Sequence, residues 1–375
     1  MKKLVYISSE WMYDVDMGIL NHMSEEYAIH WFFLNNEIAP RVKRSEVEQF
    51  ANRYRIELYW KNNNIKQLSP LKFFYYCQIA KEIEQINPDV IIKEEQDFYW
   101  TLASRLFIRK DTIYMIHDVL VHSGTHNGKI RQLFTDFTIK ANQYFVTFSE
   151  SQKRELINRY GNKKKILSTH LSVKDFGTPT VDKPIIGDTV KLLFFGRIEY
   201  NKGLDILIKG LEQLYEEGVK SISLSIYGKG SYWQECNKHI KHPEKYNLQI
   251  RFIDNEEIPN LFASHHFLVL PYRDTTQSGP LMIAANYGVP LLAASHDSFK
   301  EIYKDDCSIL YDDVIDGLKR VSTLSKDQYL CMLDRCQDLK IQFSGKAIAS
   351  EILNYIRCIT TVPLKWTNRS LKSLK

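Results

Sequence analysis

The sequence predicts an α/β protein of two doubly wound halves, each a parallel sheet with helices on both faces. Three observations predict it. Apolar runs of strand length alternate with runs of helical period from Leu4 to Arg159, and again from Lys191 onward. Between these stretches lies Thr178–Asp188, which holds Pro179, Pro184 and Gly187 and no sustained apolar period. After Lys191–Phe195, a glycine and two cations stand at the carboxyl end of a strand, where open α/β sheets bind ligands.

In the first half the expected strands are Leu4–Ser8, Ile29–Phe33, Ile56–Tyr59, Val90–Ile92, Ile113–Ile116 and Tyr144–Thr147. The expected helices are Leu71–Gln85, Phe98–Phe107, Asn127–Ala141 and Glu150–Arg159. The first of these follows Ser69-Pro70, where the missing N–H of proline costs little. In the second half the expected strands are Lys191–Phe195, Ser221–Tyr227, Gln249–Ile253, Phe267–Leu270, Val289–Ala293 and Ser308–Tyr311. Helices are expected to begin near Gly203, Tyr232, Glu257, Pro280 and Val314, with helix again from Asp327 to about Ile359. No sequence repeat is evident, yet the architecture repeats as two Rossmann-like halves.

At 375 residues the chain is long enough for two cores. Its 44% apolar content is ordinary for a soluble globular protein, and its net charge of +5 does not demand nucleic acid. The six cysteines show no CxxC spacing, which argues against a zinc site and a disulfide framework and for a reducing cytoplasm. The apolar run at the start is too short for a secretory signal, and no stretch reaches the ~20 apolar residues that span a bilayer.

The most informative stretch is FFGRIEYNKGLDILIKGLEQL, Phe194–Leu214. Gly196 permits a sharp turn, and Leu204, Leu207, Ile208, Leu211 and Leu214 form one helical face. Arg197 offers a planar fork and Lys202 a point charge, a pairing suited to a diphosphate. On spacing alone, a solvated loop with two incidental cations is the plain alternative. The stretch resembles the G-R-x4-K-G-x-D signature of retaining GT-B glycosyltransferases of family 4. That resemblance implies that Arg197 and Lys202 hold the donor diphosphate, that no metal or other cofactor is needed, and that the last helix crosses back to the first domain.

The second stretch, PYRDTTQSGPLMIAANYGVP, ends a strand and opens a helix at Ser278-Gly279-Pro280. A capped helix start presents free N–H groups and the positive end of the dipole, which suits a phosphate. An ordinary capped helix is the alternative. The stretch resembles the family's donor motif, with Gly288 and Pro290 matching its end. Aligned from these, Thr275 and Ile283 stand where the family carries two glutamates. The second glutamate normally binds the donor ribose, so Asp274 and Gln277 are the nearby polar candidates to replace it. Gly228 and Gly230 match the family's G-x-G loop, and Phe252–Pro259, with Ile253, matches the segment that holds the base. Glu301 matches a family position with a structural role.

In the first half, His117 and Asp118 follow a strand, and H-D here resembles a family motif whose His lies near the transferred sugar. His122, Ser123 and His126 are candidate acceptor contacts; a zinc trio of His117, His122 and His126 lacks a familiar spacing. The family's Gly-Gly turn after the first strand is replaced by Ser8-Ser9-Glu10-Trp11. Trp11 is thus a candidate to stack on an acceptor sugar, or to pack on the core. Basic residues gather in the later part of this half, from Arg105 to Lys165, as a solvated surface or a face for anionic lipid.

The expectation is a GT-B protein: an acceptor domain at 1–177, a linker at 178–190, a donor domain at 191–345, and a C-terminal helix and basic tail at 346–375. It moves a sugar, with retention, from a nucleotide-diphosphate sugar, with UDP favoured over GDP, to a glycan or lipid-linked glycan. It does so in the cytoplasm or on the inner face of the membrane. An inactive scaffold and a sugar-nucleotide epimerase are the alternatives.

Overall fold

The structure, a computed structural model, describes residues 1–38, 40–66, 68–120 and 127–360. Seven strands form a first sheet: β1 (Lys2–Ser9), β2 (Tyr27–Asn35), β3 (Glu57–Asn62), β4 (Val90–Glu94), β5 (Thr112–Ile116), β6 (Tyr144–Thr147) and β7 (Lys165–Ser168). Their order is β3-β2-β1-β4-β5-β6-β7, and every pairing is parallel. Six more form a second parallel sheet: β8 (Val190–Phe195), β9 (Ile222–Tyr227), β10 (Tyr246–Gln249), β11 (Phe267–Leu270), β12 (Leu291–Ala294) and β13 (Ser308–Tyr311), in the order β10-β9-β8-β11-β12-β13. The two Rossmann-like halves expected from the alternation are present. No helix or strand lies between Ser168 and Val190.

The strand order reverses between β1 and β4 in one sheet and between β8 and β11 in the other. Ligands of open α/β sheets bind outside the carboxyl ends of strands at such points. Ser9 and Glu94 mark that place in the first half, and Gly196 and Pro271 mark it in the second. The inner strands explain why the pattern is legible. β4, β5, β6 and β11 are buried at every residue, as strands covered on both faces must be.

The sequence pattern misses the short helix Asp297–Lys300 and three other elements. Helix Tyr13–Met23 opens with Asp14 and Asp16 and contains Gly18, so its helical period is interrupted. Helix Arg44–Arg53 buries only Val47 and Ala51, too little for an apolar stripe. β7 is a four-residue edge strand that begins on an exposed lysine. One further element is displaced. The strand expected at Gln249–Ile253 lies at Tyr246–Gln249, because its one partner, β9, ends at Tyr227. Arg251 instead turns to Glu257, with nitrogen–oxygen distances of 2.7 and 2.6 Å. The helix expected from Asp327 onward is two helices, Lys326–Gln342 and Gly345–Thr360.

The last helix lies on the first sheet, as expected. Its Ile348, Ile352 and Ile356 share one core with Ile19, Leu20 and Met23 of the first helix. Polar contacts fix its register: Glu351 accepts from Thr169 at 2.6 Å, and Tyr355 donates to the Lys165 carbonyl at 2.7 Å. Glu301 has the structural role expected of it. Its carboxylate accepts from the backbone N–H groups of Glu150 and Ser151, at 2.8 and 3.1 Å. It thereby satisfies two orphan donors at the start of a helix in the other half.

Gly203 joins the Tyr200–Lys202 turn to helix Leu204–Glu216 in the left-handed region, at φ 65°. A Cβ there would lie 1.8 Å from the Pro271 carbonyl oxygen, at the end of β11. Both conformation and space therefore require glycine. Gly203→Ala should destabilise the protein by more than about 2 kcal/mol, read as a lower midpoint in urea with unchanged slope.

Candidate functional site

The site starts from the loop between β8 and helix Leu204–Glu216. Gly196 turns the chain at φ 125°, and Arg197 stands exposed at the loop's edge. The 3-10 turn Tyr200–Lys202 then brings Lys202 back over the Tyr272 ring, with Nζ 3.8 Å from its centroid. Burial pulls the Lys202 ammonium down to about 8, and the Arg197 charge adds to this, against the opposing charge of Asp274. Arg197 and Lys202 are thus close neighbours of like charge. Burial lowers the Arg41 guanidinium, on the loop after β2, and the Arg197 charge adds to this against that of Glu10.

Asp205 and Arg273 make this loop rigid. The Arg273 guanidinium grips the Asp205 carboxylate with two bonds, 2.9 and 2.7 Å. It also lies over the Tyr200 ring, 4.1 Å from the centroid. The backbone N–H of Arg273 donates to the Asn201 carbonyl at 2.9 Å. The aspartate of the G-R-x4-K-G-x-D stretch therefore locks the cation loop to the segment leading into the next helix.

That helix, Gly279–Asn286, is the third part. Ser278 caps it by accepting from the Leu281 N–H at 3.4 Å, and Pro280 occupies its first turn. A Cβ on Gly196 would stand 3.5 Å from Pro280 Cγ, so the cation loop and the helix start are in contact. The structure brings Gly196, Arg197, Lys202, Asp274, Ser278, Gly279 and Pro280 to one place. Among the described residues, the buried Asp274 Oδ1 has no hydrogen-bond partner. Thr275 donates to the Gln277 carbonyl at 2.9 Å. Ile283 is buried in the core and offers no polar group where the family carries its second glutamate.

Gly228 and Gly230 adjoin this loop and pack directly on its backbone. A Cβ on Gly228 would lie 1.8 Å from the Gly196 carbonyl oxygen, and one on Gly230 would lie 2.1 Å from that of Ile198. The two glycines let one loop back onto the other. The side chain of Ile253 is buried in the core beside Ile258 and Leu261, so only its backbone is open to a base. Phe252 beside it is exposed, with Lys229 Nζ 5.8 Å from its ring.

The first half contributes His117 at the end of β5. Its Nε2 lies 2.8 Å from Glu94 Oε1, and its ring stacks on Phe148 at 4.6 Å. Its Nδ1 reaches Gln277 Oε1, across the cleft, at 3.4 Å. Burial pulls the imidazole down, but the hydrogen bond and charge of fully buried Glu94, with Glu95 and Asp118, outweigh it and hold it above its ordinary value. Glu94 also accepts from Tyr6. Burial and the Glu94 charge push the nearby Asp16 carboxyl well up.

Asp118 accepts from Thr276 of the second half at 2.5 Å. Trp11 lies away from the core: it is 57% exposed, with the Arg41 guanidinium 2.9 Å from its ring centroid. His122, Ser123 and His126 lie outside the described residues, as does the basic tail from Lys365. Among the described residues no group of three or more His, Cys, Asp or Glu could hold a metal ion, and no helix is long and apolar enough to cross a membrane.

Sequence reasoning missed Glu94, Tyr272, Arg41 and the Asp205–Arg273 clasp. Glu94 had a signal: Lys93–Asp97 is a polar run that begins within the carboxyl end of the buried strand, at a switch point. Tyr272 and Arg41 had none, since their places depend on contacts between distant segments.

Residues 189–327 match the family described as glycosyl transferases group 1. No curated protein matches the sequence. Among solved structures, a glycosyltransferase from Rickettsia africae ESF-5 superposes with a TM-score of 0.72 at 13% identity, over 96% of this chain and 98% of that one. A sucrose-phosphate synthase from Thermosynechococcus elongatus gives 0.69 at 12% identity, over 96% and 100%. An E. coli protein, described as trehalose-6-phosphate bound with UDP-2-fluoro glucose, gives 0.67 at 10% identity, over 96% and 98%. At these identities the likeness is one of fold, and it spans both halves. Residues 189–327 thus match the glycosyl transferases group 1 family, and the chain as a whole has the GT-B fold.

Proposed function

We propose that the chain transfers a sugar from a nucleotide-diphosphate sugar to an acceptor hydroxyl, with retention at the anomeric carbon. One observation carries the donor reading: Arg197, Lys202 and the start of helix Gly279–Asn286 meet at the carboxyl end of β8, two cations opposed at Lys202 by the single charge of Asp274. A diphosphate supplies the remaining negative charge. As the glycosidic bond breaks, negative charge grows on the leaving diphosphate, and fixed cations and N–H groups already face it. The leaving phosphate oxygen takes the acceptor proton, so no separate base is required. The same groups supply the charge a metal would supply, and the reading is metal-independent.

UDP is favoured as the carrier; the E. coli protein of the same fold was solved with UDP-2-fluoro glucose. The ribose finds no glutamate at Ile283, and Asp274, with its unpartnered buried oxygen, is the acceptor we assign to it. His117, oriented by Glu94, faces the transferred sugar once Gln277 yields its contact. The acceptor is a glycan or lipid-linked glycan of surface polysaccharide or glycolipid assembly. Its subsite is the cavity lined by Trp11, His117 and Asp118.

Each charge-assisted contact to the diphosphate contributes roughly 1.5–3 kcal/mol. In excess EDTA, the wild type should turn over donor with retention, seen by proton NMR of the product. Under the same conditions Arg197→Ala should lose at least about tenfold in kcat/KM. Wild-type inactivity in EDTA, or an unchanged variant, would contradict the proposal.

The ammonium of Lys202 is charged below about 8 and neutral above it. Donor kcat/KM reports the free enzyme, so it should fall as pH rises through 8. A profile flat from pH 7 to pH 9 would show that this charge does not bind donor.

A further inference from the structure

Two thiols meet inside the second half, and neither belongs to the donor site. Cys307 stands just before β13 and is 2% exposed, and Cys336, on helix Lys326–Gln342, is wholly buried. Neither is bridged. The Cys336 thiol reaches the Cys307 carbonyl at 3.8 Å, and the two thiols hydrogen bond to each other. The Cys307 thiol also donates to the Lys304 carbonyl at 3.4 Å. The contact with Cys336 holds the Cys307 thiol below its ordinary value, against burial. The same contact, together with burial, pushes the Cys336 thiol up. Thiolate, not thiol, is the nucleophile, so Cys307 is the more reactive of the two.

A hollow of about 660 Å³ opens on this side of the molecule. Its lining includes Asp306 and Ser308, which flank Cys307 in the chain, and Met332, one turn before Cys336. Lys304, Asp305 and Asp306 are exposed. A small solute therefore reaches the residues on either side of Cys307.

Several segments converge here. Arg335 and Asp306, the residues just before the two cysteines, pair at 3.8 Å. A Cβ on Gly288 would stand 3.9 Å from the Cys336 backbone, so the helix of Cys336 packs on the turn after helix Gly279–Asn286. Lys183, between the two sheets in the chain, donates to the Gly288 carbonyl at 2.8 Å. Two residues beyond its end, the helix of Cys336 is followed by the helix Gly345–Thr360 that crosses to the first half. A covalent bond from Cys307 to Cys336 would tie the approach to that crossing to the second sheet.

We propose that Cys307 and Cys336 form a reversible oxidation site, which a peroxide closes to a disulfide that braces the second half. The Cys307 thiolate attacks one peroxide oxygen, the O–O bond breaks, and the leaving hydroxide takes the thiol's proton as water. Cys307 is then a sulfenic acid. Cys336 Sγ attacks that sulfur, the S–O bond breaks, and hydroxide leaves with the Cys336 proton as a second water. Two thiols lose two electrons, and one peroxide is reduced to two waters. A thiol reductant reverses the bond. The two residues lie 29 apart in the chain, so the closed loop restricts the unfolded state.

The test treats the full chain with hydrogen peroxide, alkylates the remaining thiols in denaturant and maps the tryptic peptides. Cleavage after Lys326 and Arg335 places Cys307, Cys331 and Cys336 on separate peptides. The Cys307 and Cys336 peptides should appear joined, about 2 Da below their summed mass, and dithiothreitol should release them. The oxidised protein should unfold at a higher urea concentration than the same sample after dithiothreitol. Cys307→Ala should show neither effect, and the wild-type map is decisive even where this variant does not fold. Recovery of both thiols alkylated would overturn the proposal. So would a bond to exposed Cys331, which lines the same hollow, or a urea midpoint that oxidation leaves unchanged.

Discussion

Two like charges held together, with the carboxylate of Asp274 opposing them, govern this molecule. Lys202 is drawn out of water over the Tyr272 ring and set beside Arg197, so both burial and repulsion act against its charge. A loop free to relax would swing the lysine into solvent. It does not, because Gly203 is pressed against the Pro271 carbonyl and Arg273 clasps Asp205. The fold thus sustains an arrangement unfavourable in itself and relieved by an anion. Such preorganisation places the cost of assembling the charges in folding, so little reorganisation remains when negative charge develops.

A second electrostatic arrangement lies across the cleft. Glu94 is wholly buried between the His117 imidazole and the Tyr6 hydroxyl. Breaking such a network by removing one partner costs more than its net stabilisation, because the remaining charge is left buried. Gln277 and Thr276, from the segment that leads to helix Gly279–Asn286, touch His117 and Asp118. One short segment therefore joins donor-side charge to the acceptor-side histidine.

Much of this was legible in the sequence because burial on both faces writes itself as unbroken apolar runs. β6, β11 and β13 fall where the pattern puts them, and Arg197, Lys202 and Ser278–Pro280 meet as their spacing suggests. Elements at edges were not legible. Helix Arg44–Arg53 buries too few residues, and the end of the strand at Tyr246–Gln249 is set by the length of its neighbour. The glycines of Tyr227–Ser231 also fit backbone against the cation loop, a contact that their local spacing does not show. Contacts over great sequence distance, such as Lys202 on Tyr272, leave no trace in local pattern.

The central claim is that the Lys202 ammonium, depressed in pKa and beside Arg197, faces a diphosphate. Acetylation of lysines at pH 8, quantified by mass spectrometry with and without UDP, tests it most directly. A lysine titrating near 8 should be labelled faster than the exposed lysines in the free protein, and saturating UDP should protect it. Slow labelling of Lys202, or labelling that UDP leaves unchanged, would contradict the account.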